Sequence, residues 1–164
     1  MTVTSVDTDY DDLTVTLIAD FDASIDQVWE LWSDPRKLEQ WWGPPGYPAR
    51  VEKHDLSPGG EVTYLMTGPE GDTHHGVWRV TAVDPPASLE FTDAFADSGG
   101  APLEDSPVSV ISVRLLEHEA GGTRMEIRMT FETREDMERI VDMGAVEGLR
   151  EAVGQMDGLL AGRP

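Results

Sequence analysis

The sequence predicts an α+β protein, a curved antiparallel sheet of about six to seven strands wrapped around a long C-terminal helix. Three observations carry this. β-branched segments separated by Gly/Pro turns fill the middle of the chain, two short helical patterns follow the first strand, and one period-3.6 apolar stripe occupies the C-terminal end. Helices segregated from an antiparallel run make the class α+β, and a single helix in the concavity of a curled sheet is an economical cover.

Taken in order, residues 1–12 are expected to be a flexible N-terminal segment, and they lack the basic and apolar regions of a secretory signal. Residues 13–21, LTVTLIADF, are β-branched and apolar and predict the first strand. Ser24 is the expected N-cap of the first helix, with Gln27 completing a capping box and Ile25, Val28, Trp29 and Trp32 at helical spacing. Asp34 before Pro35 predicts a second helix over residues 35–42, stopped by Gly43-Pro44-Pro45-Gly46. That helix ends on adjacent tryptophans, Trp41 and Trp42. Neighbouring residues cannot share one core face, so either one ring is spent on solvent or a second apolar surface exists for it to meet.

Strands are expected over residues 49–55, 61–67, 74–83, 88–95, 108–117 and 123–133. The turns between them are SPGG, GPEGD, DPP and HEAGG, with a longer Gly/Pro/Asp-rich loop, ADSGGAPLEDSP, as the expected mobile section. Asp84-Pro85-Pro86 ends its strand because neither proline can donate to a ladder. Met125, Ile127, Met129 and Phe131 alternate with Glu126, Arg128 and Thr130, so the last strand has one apolar face. From residue 134 to 161 the period becomes helical, with Met137, Ile140, Val141, Ala145, Leu149, Val153, Met156 and Leu160 on one stripe. Gly144, Gly148, Gly154 and Gly158 interrupt it at up to ~1 kcal/mol each. They imply either close approach of another backbone or a break near Gly144.

A chain of 164 residues suits one domain with one core. The absence of cysteine excludes disulfides, thiolate metal sites and thiol catalysis. A formal charge of -20 repels phosphate backbones and anionic lipid, which makes nucleic acid and membrane surface poor partners. No apolar run approaches the roughly 20 residues that span a bilayer. The expected compartment is the cytoplasm.

Four histidines are present, His54, His74, His75 and His118, and their spacing does not bring three ligands to one ion. No Gly-x-Ser-x-Gly elbow appears. The candidates for general acid–base work are Tyr64, His75, Arg79, Asp93 and Arg114, all in strand-like segments.

Four segments together resemble a known family. FDASIDQVWELWSDPRKLEQWWGP resembles its opening helix pair. HDLSPGGEVTYLMTGPEGDTHHGVWRVTAVDPPASLEFT resembles its Asp-x-x-x-Gly-Gly turn, its Gly-Pro-x-Gly hairpin and its strand ending in Pro-Pro. TRMEIRMTF and MGAVEGLREAVGQMDGLL resemble its last strand and terminal helix. On these the chain is identified as a member of the SRPBCC (START-like, helix-grip) superfamily, similar to homologues of the C-terminal domain of the activator of the heat-shock protein 90 ATPase. The resemblance implies a curved sheet gripping the C-terminal helix, with an apolar cavity between them. A small hydrophobic or aromatic molecule is the expected partner, with no cofactor and no metal, in a monomer or homodimer.

The aromatic and methionine residues are the cavity candidates. They are Trp32, Trp41, Trp42, Tyr64 and Met66, followed by Trp78, Phe91, Met129, Leu149 and Met156. Within the tandem, one ring is expected to pack inward and the other to contribute to the cavity mouth, either Trp41 inward with Trp42 at the mouth or the two exchanged. Two other functions fit the family: stimulation of a chaperone ATPase, with the chaperone as partner, and a polyketide cyclase-type enzyme.

Overall fold

Alternating apolar and polar residues build a single eight-stranded antiparallel sheet. The computed structural model describes residues 3–118 and 121–161. In chain order the elements are β1 (Val3–Asp9), β2 (Thr14–Phe21), α1 (Ile25–Ser33), α2 (Pro35–Trp42), β3 (Ala49–His54), β4 (Glu61–Thr67) and β5 (Thr73–Asp84). Then come β6 (Ser88–Ala96), β7 (Ser109–His118), β8 (Gly122–Phe131), α3 (Arg134–Asp142), α4 (Ala145–Gly154) and α5 (Met156–Ala161). The spatial strand order is β1-β2-β8-β7-β6-β5-β4-β3.

Three expectations are corrected. The segment expected to be flexible contains β1, whose residues Val3 and Val6 pack against the core while the strand pairs with β2. That strand raises the count to eight, above the six or seven expected. The C-terminal helix is not one rod but three consecutive helices, and the break near Gly144, one of the two alternatives its glycines offered, is present: the φ of 85° there lies in the left-handed region that suits glycine. The glycines do not serve close backbone approach: at Gly154 and Gly158 an added Cβ would meet nothing, and at Gly148 only Pro44 is near. Of the HEAGG turn, residues 119 and 120 lie outside the described residues.

The helix pair forms as its residues dictate. Ser24 and Gln27 close the capping box on α1, and the Asp34 side chain accepts from the Arg36 N–H at the start of α2. Trp41 Nε1 donates to the Leu31 carbonyl at 2.8 Å, which fixes α2 against α1. The α2 surface also covers the edge strand β3: Arg36 donates to the Val51 carbonyl, and Glu39 accepts from the Val51 N–H. On the outer face, Arg124 of β8 makes two hydrogen bonds to its cross-strand partner Asp20, and these hold the Asp20 carboxyl below its usual range.

The core lies between the inner sheet face and the helices. Along β8, Met125, Ile127, Met129 and Phe131 are all buried, as their alternation predicts. An aromatic cluster fills the centre, where Trp78 stacks on Phe91 at 3.9 Å between centroids and Trp32 meets Trp41 edge-on at 4.8 Å.

Candidate functional site

The α4 helix packs against β1, β2 and α2. Towards β4–β7 a cavity of about 650 Å³ separates the helical layer from the sheet. Its position follows from the break at Gly144, which redirects the chain between α3 and α4. Gln155, at the end of α4, then pins the layer to the tryptophan turn. Its Nε2 donates to the carbonyls of Trp41 (3.2 Å) and Gly43 (2.8 Å), two acceptors left open where α2 stops.

Five of the ten candidate cavity residues border this space: Trp42, Tyr64, Met66, Met129 and Leu149. The other five, Trp32, Trp41, Trp78, Phe91 and Met156, are fully buried in the core and do not line it. Their apolar character was read correctly, but which core residues border a void is decided by how the helices lie on the sheet. The tandem is divided, with Trp41 at 0% exposure inside the core and Trp42 on the cavity wall. Trp42 is not at the mouth, however. It is 7% exposed and meets Trp78 at 4.9 Å and Tyr64 at 5.9 Å, whereas the exposed lining residues include Tyr47, His74, Met143, Glu147 and Glu151.

The polar end of the cavity is built by three neighbouring strands. Alternation on β4 turns Val62, Tyr64 and Met66 inward, and the register sets Tyr64 opposite Gly76 of β5. A Cβ at Gly76 would sit 2.3 Å from the Tyr64 hydroxyl and ring, so only glycine lets the ring lie across β5. The hydroxyl thereby crosses one strand and donates to Asp93 Oδ1 on β6 at 3.1 Å. Asp93 occupies an inward position between Phe91 and Phe95, where alternation would otherwise place an apolar side chain.

Burial pushes the Asp93 carboxyl up to about 7, against a smaller opposing effect of the Tyr64 hydrogen bond. Burial, and then the Asp93 charge, push the Tyr64 phenol well above its ordinary value. The indole N–H groups of Trp42 and Trp78 lie near enough to the phenol oxygen to favour its ionised form, yet neither completes a hydrogen bond of ordinary geometry. Asp93 is only partly shut away, because it borders the cavity.

Of the acid–base candidates, the structure brings together Tyr64 and Asp93; His75 also borders the cavity, but its register opposite Leu65 puts its side chain on the other face from Tyr64. Arg79 and Arg114 point elsewhere, into exposed ion pairs with Glu61 and Glu126. His74 and His75 both border the cavity, though alternation aims their side chains to opposite faces, and His74 pairs with Asp72. Among the described residues no group of three or more His, Asp or Glu side chains is placed to hold a metal ion. Sequence reasoning missed Pro44, Tyr47, Ser109 and Ile111 in the lining, and Glu147 and Glu151 of α4. One signal for the polar end was available: a glycine inside a strand, Gly76, marks close approach of another group.

Comparison with known proteins agrees with this architecture. A crystal structure of protein Ms6760 from Mycobacterium smegmatis is 46% identical, with a TM-score of 0.90 and 99% of each chain covered. A solution structure of a protein from Arthrobacter aurescens is 45% identical, with a TM-score of 0.93 over 99% of this chain and 94% of that one. DynU16, from the dynemicin biosynthetic locus, shares the fold at 21% identity and a TM-score of 0.65, covering 93% of this chain and 49% of its own. No curated protein matches the chain. Residues 22–161 match the family described as Activator of Hsp90 ATPase homolog 1-like protein. With most of its length matched, and with the helix-grip architecture around its cavity, the chain belongs to that family.

Proposed function

We propose that this protein binds a small hydrophobic or aromatic molecule in the cavity between α4 and the sheet. The observation that carries the proposal is a space of about 650 Å³ walled by Trp42, Tyr64, Met66, Met129 and Leu149, with the Tyr64–Asp93 pair at its polar end. Concave, mainly apolar sites with a small convergent polar set are the usual form of small-molecule pockets. Aromatic and methionine side chains give flat or irregular ligands a polarisable wall.

Gly148 offers a direct test, because it lines the cavity and an added Cβ would stand 3.8 Å from Pro44. Calorimetric titration of a neutral aromatic alcohol, naphthalenemethanol, is expected to show one saturable site in the wild type. Gly148→Leu fills the space from a helical position, and its affinity is expected to fall at least about tenfold while helicity is retained. Equal affinity in both proteins, or no binding by the wild type across aromatic and fatty ligands, would contradict the proposal.

A cyclase-type enzyme is a second reading, favoured by one observation, a cavity carboxyl near neutral pKa hydrogen-bonded to a phenol. Conversion of a bound ligand by the wild type but not by Asp93→Asn, with binding preserved, would establish it.

A further inference from the structure

The cavity carries a charge pattern that its apolar walls do not require. Three carboxylates border it, Asp93 from the sheet and Glu147 and Glu151 from α4, and neither lysine nor arginine does. Asp93 is the informative one. Its only hydrogen-bond partner among the described residues is the Tyr64 hydroxyl, which leaves carboxylate acceptor capacity facing the cavity. Neither core packing nor the sheet ladder uses that side chain, and an apolar residue there would continue the inward row of Leu89, Phe91 and Phe95. Retaining a carboxyl at such a position costs folding free energy unless a ligand uses it.

We propose that the cavity selects a hydrophobic amine, an organic cation whose ammonium group sits on the Asp93 carboxylate and whose apolar body lies between Trp42, Met66, Met129 and Leu149. This rests on the ligand-binding function proposed above and names its ligand class. Trp42 and Tyr64 add ring faces that attract a cation. Glu147 and Glu151 favour positive charge on the way in. A fatty or aromatic carboxylate meets Glu147, Glu151 and, above about pH 7, a charged Asp93, with no lysine or arginine to pair with, so it is disfavoured.

The titratable groups that border the cavity with Asp93 are Tyr47 in the loop after α2, Tyr64 on β4, His74 and His75 on β5, of which alternation turns only His74 to the inner face, and Glu147 and Glu151 on α4; Ser109 of β7 is its neutral cross-strand neighbour. Because burial raises the Asp93 carboxyl to about 7, a bound ammonium must displace its proton below that pH. Amine affinity therefore rises with pH through neutrality. A ligand that instead accepts a hydrogen bond from the protonated carboxyl shows the opposite slope.

The test is a matched set of naphthylmethylamine, naphthalenemethanol and naphthoate, titrated by calorimetry into the wild type and Asp93→Asn between about pH 5.5 and 8.5. At the upper pH the amine is expected to bind at least about tenfold tighter than the alcohol, with naphthoate weakest. That preference shrinks towards low pH and disappears in Asp93→Asn, while alcohol binding remains. Equal affinity of amine and alcohol, or a preference that survives in Asp93→Asn, overturns the amine assignment and leaves apolar-ligand binding standing. Failure of all three probes to bind removes the binding function itself, and this inference with it. Should Asp93→Asn not fold, the wild-type pH slopes of amine and alcohol decide alone.

Discussion

Asp93 shows how one residue can set both a stability profile and a chemistry. Its folded-state pKa of about 7 lies above the ordinary 3.8, so the folded protein holds a proton that the unfolded chain has already released. The stabilisation is complete below about pH 4 and is lost as pH rises through about 7. Asp93→Asn keeps the size and loses the titration. At pH 8 the variant is expected to be more stable than the wild type by on the order of 1–3 kcal/mol, discounted for the water that reaches the carboxyl through the cavity. The gap should close by about pH 4. Urea unfolding of both proteins across this range checks the prediction, and a gap independent of pH would refute it. The position was legible in the sequence, since the alternation of Leu89, Phe91, Asp93 and Phe95 places the carboxyl on the inner face. Its partner was not, because the Tyr64–Asp93 bond depends on two strand registers and on the bare backbone of Gly76 between them.

At the scale of elements, α1 and α2 were legible because their signals are local. The Ser24–Gln27 box and the Asp34-Pro35 start lie within a few residues of the turns they cap. The strand β1 was not, since its seven residues bury little and form a strand only through pairing with β2. The break at Gly144 is intermediate, signalled by a glycine whose positive φ only the folded chain reveals. What joins these pieces around the cavity is Gln155, the tie between the end of α4 and the carbonyls of Trp41 and Gly43. Gln155→Ala leaves both carbonyls without that donor and is expected to cost about 1–2 kcal/mol in urea unfolding. It should also weaken naphthalenemethanol binding, because the wall formed by Trp42 and Pro44 is no longer held against α4. Loss of stability with unchanged affinity would show that the tie supports the fold alone.

For the whole molecule, fold class and family were carried by the ordered set of segments, and the matched family and the eight-stranded sheet agree with them. The cavity residues were legible only by half. Composition marks Trp32, Trp41, Trp78, Phe91 and Met156 as interior as surely as Trp42 or Met129, but a void is a property of layers. It lies where α4 leans towards β1 and β2 and leaves one end of the inner face of β4–β7, around Met66, Asp93 and Ser109, uncovered.

The methionines report on that division within a single protein. Met66, Met129 and Met143 border the cavity, whereas Met125, Met137 and Met156 are fully buried in the core. Carbon-13 labelling of the methionine methyl groups, followed by NMR during titration with naphthalenemethanol, therefore tests the central claim most directly. The account predicts saturable shifts at Met66, Met129 and Met143, with Met125, Met137 and Met156 essentially unmoved. Shifts spread evenly over both groups, or none at any methionine, would contradict a ligand-binding cavity at this place.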